Sequence, residues 1–423
     1  MQATPIIASE QANSDAGIRL AQFARQLAQS HSLDKSPKYK AALPQHLQNW
    51  ERTLRDAYAY FRAESSKDLA FSRAGEWMLD NFYVVEQTLH QIEEDLPESY
   101  YDQLPKLDTT SLKGYPRIFG LAWEWVGYSQ SQLDLTPAAV FVQGYQQITP
   151  LTIGELWALP TMLRIGVLER LTAAVAAITG IAAPESLNAL PSLPVPPALA
   201  SESIVANCFL SLRLLSATDW KAFFEQTSRV EQILRNDPAE IYAGMDFDTR
   251  NHYRSVIEEL ARHSNQSEEA VAQAVIEFCR NPQGTPQFRK THVGFYLVDA
   301  GRSALEKRLN YQPGPSAHLR DWFLARPTAT YLGSIGLLSL LMISGLLAYT
   351  RLAGGSLVQL ILVGVLGLGL TLEAAITLVH WIITHKITPR SLPRMDFSEG
   401  IPPNCRTMVV VPTLLANTAE FNL

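Results

Sequence analysis

The sequence predicts a mainly α-helical chain in which a helical N-terminal region precedes a two-helix transmembrane hairpin and the first strand of an α/β domain. Three observations carry this. Apolar residues recur at helical spacing through the first three hundred positions, with no alternation of strands and helices before residue 400. Two long apolar runs then follow in tandem, YLGSIGLLSLLMISGLLAY (331–349) and LVQLILVGVLGLGLTLEAAITLVHWIIT (357–384). Last, Thr407–Leu415 (TMVVVPTLL) has the composition of a buried strand, of the kind that opens an α/β domain.

A chain of 423 residues exceeds one simple core, so two or three units are expected. The mean hydropathy near zero conceals an uneven distribution, with the apolar excess lying between Pro327 and Thr384. The net charge of −6 gives no basic footprint for DNA or RNA, so nucleic acid is not an expected partner. Cys208, Cys279 and Cys405 are far apart and odd in number, which fits neither a disulfide framework nor a zinc pattern and suits a reducing compartment. Met1–Ser14 has no basic or apolar region of a signal peptide, so the first domain is expected to stay in the cytoplasm.

Taken in order, residues 1–15 read as a frayed polar terminus, and Leu20, Phe23, Ala24 and Leu27 mark the first amphipathic helix. Leu47–Lys67 and Gly75–Asp95 read as two more. The second ends in Glu93, Glu94 and Asp95, which oppose the helix dipole and call for a compensating contact. Pro97, Pro105, Gly114 and Pro116 make 97–118 an irregular crossing. Helical pattern returns over Phe119–Ser129. Thr136-Pro137 reads as a helix start, and Leu151–Thr179 as a long run that Pro160 kinks or divides. The prolines at 184, 191, 194, 196 and 197 mark a linker. Helices then recur near 202–216, 219–235, 249–263 and 267–280, the last capped by Ser267, and HVGFYLVDAGR (292–302) is the best short strand or extended stretch of this half. The expected division is a terminus at 1–15, a helical subdomain at 16–183, a linker at 184–201, a second helical subdomain at 202–326, the hairpin at 327–385, a connector at 386–404 and the α/β start at 405–423.

About twenty apolar residues cross the hydrocarbon layer, and a turn at Gly354-Gly355-Ser356 joins two such runs. Lys307, Arg308, Arg320 and Arg326 precede the hairpin and Lys386, Arg390 and Arg394 follow it, against Arg351 alone in the loop, so both flanks are expected on the cytoplasmic side. Trp322, Tyr349 and Trp381 suit the interfaces, and glycines 333, 336, 364, 367 and 369 permit close helix approach. Glu373 lies inside the second span. It is either a functional carboxylate, for instance in a transport pathway, or one that snorkels or pairs with His380 or Lys386.

Catalytic signals are sparse. Acids adjoin tryptophans at Glu76-Trp77, Trp123-Glu124-Trp125 and Glu155/Trp157. Such pairs can hold a sugar, making Trp77, Glu124, Trp125, Glu155 and Trp157 carbohydrate-contact candidates, although helical tryptophans more often belong to a core. Asp246-Phe247-Asp248 has the D-x-D spacing of metal-dependent glycosyltransferases but directly precedes a helix, where an aspartate serves as an N-cap. No zinc-protease, nucleophile-elbow or phosphate-loop motif occurs, and no catalytic or metal-ligating set is assigned.

Seven stretches carry a resemblance: RAGEWMLDNFYVVEQ (73–87), LPESYYDQLPKL (96–107), GYPRIFGLAWEWVGYSQSQLD (114–134), QQITPLTIGELWALPTMLRIGVLERL (146–171), YAGMDFDTRNHYRSVIEELA (242–261), HVGFYLVDAGRSALE (292–306) and LPRMDFSEGIPPNCRTMVVVPTLL (392–415). In these the chain resembles the N-terminal part of bacterial cyclic β-1,2-glucan synthases. The resemblance implies a helical scaffold and anchor in the bacterial inner membrane, ahead of a GT-A-like domain that transfers glucose from UDP-glucose to a growing β-1,2-glucan, and of a phosphorylase-like part. By the same resemblance, Pro412 and Thr413 would lie near the nucleotide. A divalent Mg or Mn ion would serve the full-length enzyme, with its ligands beyond Leu423, and the isolated chain would be a truncated, non-catalytic piece. The alternative from another class is a stand-alone, membrane-anchored helical module that binds carbohydrate or protein.

Overall fold

The computed structural model describes residues 5–34, 43–65, 72–109, 112–182, 184, 201–281, 288–314, 323, 326–386, 392–398 and 400–407. They divide into two units: residues 1–238 with 268–280, and residues 239–267 with 281–423. Pro412, Thr413 and the expected strand from residue 408 onward lie outside the described residues, as does Trp322.

The first unit is built on one long helix. Helices α1 (Pro5–Ser30), α2 (Leu43–Ser65), α3 (Arg73–Asp95), α4 (Glu98–Gln103), α5 (Arg117–Tyr128) and α6 (Leu135–Gln146) precede α7 (Ile153–Thr179), and α2, α3 and α5 all pack on it. Helix α1 begins within the segment expected to be a frayed terminus and packs on α6. Helix α7 is apolar on every side and buried along nearly its whole length among the helices packed on it. Thr152 and Glu155 start it with a reciprocal capping box, and Gly180 ends it in the left-handed region at φ +69°. The helix runs through Pro160 without a break: the ring removes one hydrogen bond, and the surrounding packing outweighs that loss. One start shifts from its expected place because a better side-chain acceptor lies nearby: Asp134, rather than Thr136, caps α6, accepting from the Thr136 amide at 2.9 Å. The acidic end of α3 finds its compensating contact in Arg164 of α7, whose Nη1 lies 3.3 Å from Asp95 Oδ2.

Helices α8 (Ser201–Ala217), α9 (Trp220–Thr227) and α10 (Arg229–Leu234) follow the proline-rich stretch and return to this same unit. Helix α8 packs on α7 and α3, and α9 on α6 and α7. The division between units therefore falls near Pro238 rather than at 184–201. Helix α12 (Glu268–Arg280), beginning directly after Ser267, also joins the first unit by packing on α10.

In the second unit, α11 (Phe247–Ser264) carries α13 (Val293–Val298) and α14 (Arg302–Leu309). The stretch read as a strand at 292–302 is thus a correction: it forms α13 and the turn into α14. Val293, Gly294, Tyr296 and Leu297 are buried, a helical and not an alternating pattern, and packing against α11 overrides the strand propensity of valine and tyrosine. Gly294 lies so close to the Tyr253 ring that a side chain there would collide with it. Among the described residues, extended pairing is confined to three isolated bridges, Leu33–Leu107, Lys106–Pro116 and Met245–Met395.

Candidate functional site

The hairpin in the second unit consists of α15 (Pro327–Leu352) and α16 (Leu357–Lys386). Pro327 occupies the first helical position of α15, where a missing N–H costs nothing. Gly354, at φ +83°, makes the turn, and Ser356 and Gln359 open α16 reciprocally: the Ser356 amide donates to Gln359 Oε1 (2.8 Å) and the Gln359 amide to Ser356 Oγ (3.4 Å). At 1.5 Å per residue the helices are about 39 and 45 Å long, more than the roughly 30 Å hydrocarbon layer requires.

Both helices are long and apolar enough to cross a membrane, and only 11 % and 17 % of their most apolar stretches are buried. Leu340 and Leu341 are each 61 % exposed. The two helices touch along a narrow seam in which α15 contributes Ile335 and Ser339 and α16 contributes Gly367, Thr371, Ala375 and Val379. Small residues at every fourth position let the backbones approach. Of the five glycines suited to this by sequence, Gly367 is the one at the close contact, with Leu346 and Ile343 where its side chain would be. Gly364 makes ordinary contact, and Gly333, Gly336 and Gly369 face open space. Tyr331 Oη and His380 Nε2, 2.6 Å apart with stacked rings, join the two open ends of the hairpin.

Glu373 is not near a helix end: at 1.5 Å per residue it lies about 24 Å from Leu357 and about 20 Å from Lys386. It is exposed on the face opposite the seam, and His380 is engaged by Tyr331. Neither pairing considered from sequence is therefore made. A charged side chain at such a depth costs about 3 kcal/mol on insertion scales.

Both flanks of the hairpin are held by helix α11. On the way in, the Gln312 amide donates to the His263 carbonyl (3.0 Å) and Tyr311 Oη donates to Glu259 Oε1 (3.0 Å). Burial, followed by that hydrogen bond, pushes the Tyr311 phenol up to about 12. On the way out, residues 394–396 pair antiparallel with 244–246: the Asp246 amide donates to the Arg394 carbonyl (3.0 Å) and the Asp396 amide to the Gly244 carbonyl (2.9 Å), around the Met245–Met395 bridge. The Arg394 amide also donates to Thr249 Oγ1 (3.1 Å). Asp246 caps α11 by accepting from the Thr249 amide at 2.9 Å, so the first aspartate of the D-x-D spacing is an N-cap. Sequence reasoning missed this pairing because its bonds join main-chain groups, which leave no side-chain signature.

The carbohydrate-contact candidates lie in the first unit, each held by its own packing. Trp77 stacks on Phe209 (6.1 Å between centroids), Trp157 on Phe224 (4.6 Å), and Trp125, which is buried, on Tyr128 (5.9 Å) beside Phe141 (5.2 Å). Glu155 is fully buried. Its carboxylate receives Nε of Arg117 at 2.7 Å and also Nη2, together with the Thr152 amide at 2.9 Å. Burial alone would lower the Arg117 pKa, but the bond and charge of Glu155 outweigh it and hold the guanidinium above its ordinary value. Glu124 is half-buried with its carboxyl raised by burial, and has no hydrogen-bond or ion-pair partner among the described residues. The thiols of Cys208 and Cys279 are pushed up to about 12 by burial, which makes them inert packing groups.

No known family profile matches the chain. It is similar to the cyclic beta-(1,2)-glucan synthase NdvB of Rhizobium meliloti, with 28 % identity over 448 aligned residues that take in 88 % of this chain. The chain spans 15 % of the length of that relative. The resemblance carried by the seven stretches quoted above thus extends over most of the chain.

Proposed function

We propose that this chain is the helical body and membrane anchor of a bacterial cyclic β-(1,2)-glucan synthase, holding the sugar-transferring part at the inner face of the cytoplasmic membrane. The observation that carries the reading is the double tether. A segment that leaves from one end of α11 and rejoins its other end must cross the bilayer an even number of times, which two spans satisfy. The cationic flanks at Arg326 and Lys386, together with Arg394, favour the cytoplasmic side for both ends. In this reading Pro412 and Thr413 approach the nucleotide of UDP-glucose, while the divalent ion and the groups that transfer glucose belong to the rest of the synthase. The described residues serve by fixing where that part sits.

The test is made on membranes from cells that express the complete gene. Replacing residues 327–386 with a polar linker is expected to abolish incorporation of labelled glucose from UDP-glucose into β-1,2-glucan. Unchanged synthesis would overturn the proposal. A second measurement fixes the topology: with all the native cysteines of the complete protein changed to serine, Gly355→Cys should react with an impermeant thiol reagent from the periplasm and Ser303→Cys should not. Equal labelling of both would reject the hairpin.

A further inference from the structure

Glu373 shares the outward face of α16 with Leu370, Ala374, Thr377, Leu378 and Trp381, which line an open groove. The seam is carried by Gly367, Thr371, Ala375 and Val379, whereas all six groove residues are exposed, so α15 does not cover them. With a roughly 30 Å hydrocarbon layer centred on the helix, Glu373 lies about 13 Å from the nearer boundary, beyond the reach of a glutamate side chain. The neighbouring hydroxyl of Thr377 is spent on the Glu373 carbonyl (2.9 Å) and is not free for the carboxylate. Among the described residues the Glu373 side chain has no partner. Ala374 beside it leaves the groove shallow enough for another backbone to approach, with Leu370 and Leu378 as walls.

We propose that this groove seats a further membrane-spanning helix that presents an arginine to Glu373 near the middle of the bilayer. An acid in hydrocarbon calls for a cation or a donor, and a guanidinium meets a carboxylate with two parallel hydrogen bonds and full charge compensation. A second copy of this hairpin cannot supply it: the residues between Arg326 and Arg351, and between Leu357 and His385, include no arginine or lysine. The occupant is therefore a helix of different sequence, which on the reading above belongs to the rest of the synthase. The groove chemistry itself rests only on the hairpin spanning a bilayer.

The experiment reconstitutes the full chain in phosphatidylcholine vesicles. The probes are synthetic helices of about 25 leucines, labelled for energy transfer, with arginine, glutamine or leucine at the centre. The arginine probe is expected to associate more strongly than the leucine probe, by on the order of tenfold. That preference should vanish in Glu373→Leu and in Glu373→Gln, both of which make the span easier to insert. Three results would overturn the proposal: equal association of the arginine and leucine probes, a preference that survives Glu373→Gln, or self-association of the chain that Glu373→Leu abolishes. Flotation separates the possible failures. A chain that does not float with the vesicles refutes the hairpin itself, whereas one that floats without preferring arginine refutes only the groove.

Discussion

Helices α7 and α16 are alike in composition and opposite in surroundings. Both are apolar on every side and similar in length, 27 and 30 residues. Helix α7 is enclosed by α2, α3, α5, α8 and α9, and two of the charges it carries are paired inside the protein: Glu155 with Arg117, and Arg164 with Asp95. Among the described residues, helix α16 packs along a strip of small residues on α15, leaves its leucines outward, and has no partner for the Glu373 side chain. All-round apolarity therefore announces only that water is excluded. What excludes it is told by the partners: in α7 interlocking side chains from five helices, in α16, on the function proposed above, a medium that needs no interlocking.

The largest effect that would sharpen this contrast is expected from the buried ion pair. Glu155→Ala leaves Arg117 buried without its partner and removes half of the α7 capping box, for a loss of about 3–5 kcal/mol. Denaturant unfolding of the chain in mild detergent measures it. Glu373→Ala should go the other way, raising the membrane-inserted fraction. A matched leucine pair comes next. Leu168→Ala, at a fully buried site of α7, should cost about 3 kcal/mol in the same assay. Leu366→Ala, at a position 64 % exposed on α16, should leave unfolding of the body unchanged. Similar losses from both would mean that the hairpin is covered by protein and would break the comparison.

Acidity offers a third handle on α7. Glu169 is lifted to about 7 by burial, with the nearby Arg170 charge opposing. The fold favours the protonated form, so this contribution is complete below the ordinary carboxyl value of 4.5 and is lost as pH rises through about 7. Between pH 5 and 8 the body should lose on the order of 2–3 kcal/mol from this group, and Glu169→Gln should flatten the profile of melting temperature against pH. The smallest effect is expected at the seam. Gly367→Val must displace the ends of the Leu346 and Ile343 side chains and should weaken the hairpin by about 1–2 kcal/mol, read as faster exchange of amides in α15 and α16. An unchanged exchange rate would show that the two helices are held together by something other than their mutual fit.

The hairpin was legible because its signal is local: two greasy runs, a glycine turn and cationic flanks need no knowledge of the rest of the chain. The extent of α7 was legible for the same reason, although Pro160, read as kinking or dividing it, lies within one continuous helix. What stayed hidden depends on partners distant in sequence. The proline-rich stretch read as a boundary because nothing local says that α8 returns to α7 and α3. Val293–Val298 read as a strand because its valines and aromatics favour one, and only α11 turns it into a helix. Glu155 read as a sugar contact through its neighbour Trp157, yet the structure gives its carboxylate to Arg117, 38 positions earlier. Glu373 stood out from the start as a carboxylate among apolar residues. Which face it occupies required knowing where α15 lies.

The pairing of Arg394–Asp396 with Gly244–Asp246 has a mechanical consequence. Its rungs are main-chain bonds, so they hold position and direction with little regard for which side chains flank them. A polypeptide leaving that short ladder starts from a fixed bearing on the rod of α11, not from wherever the lipid lets the second span drift. Tilting of the spans, as when bilayer thickness changes, would then reach the downstream chain as a pull on one rigid lever moored at both ends.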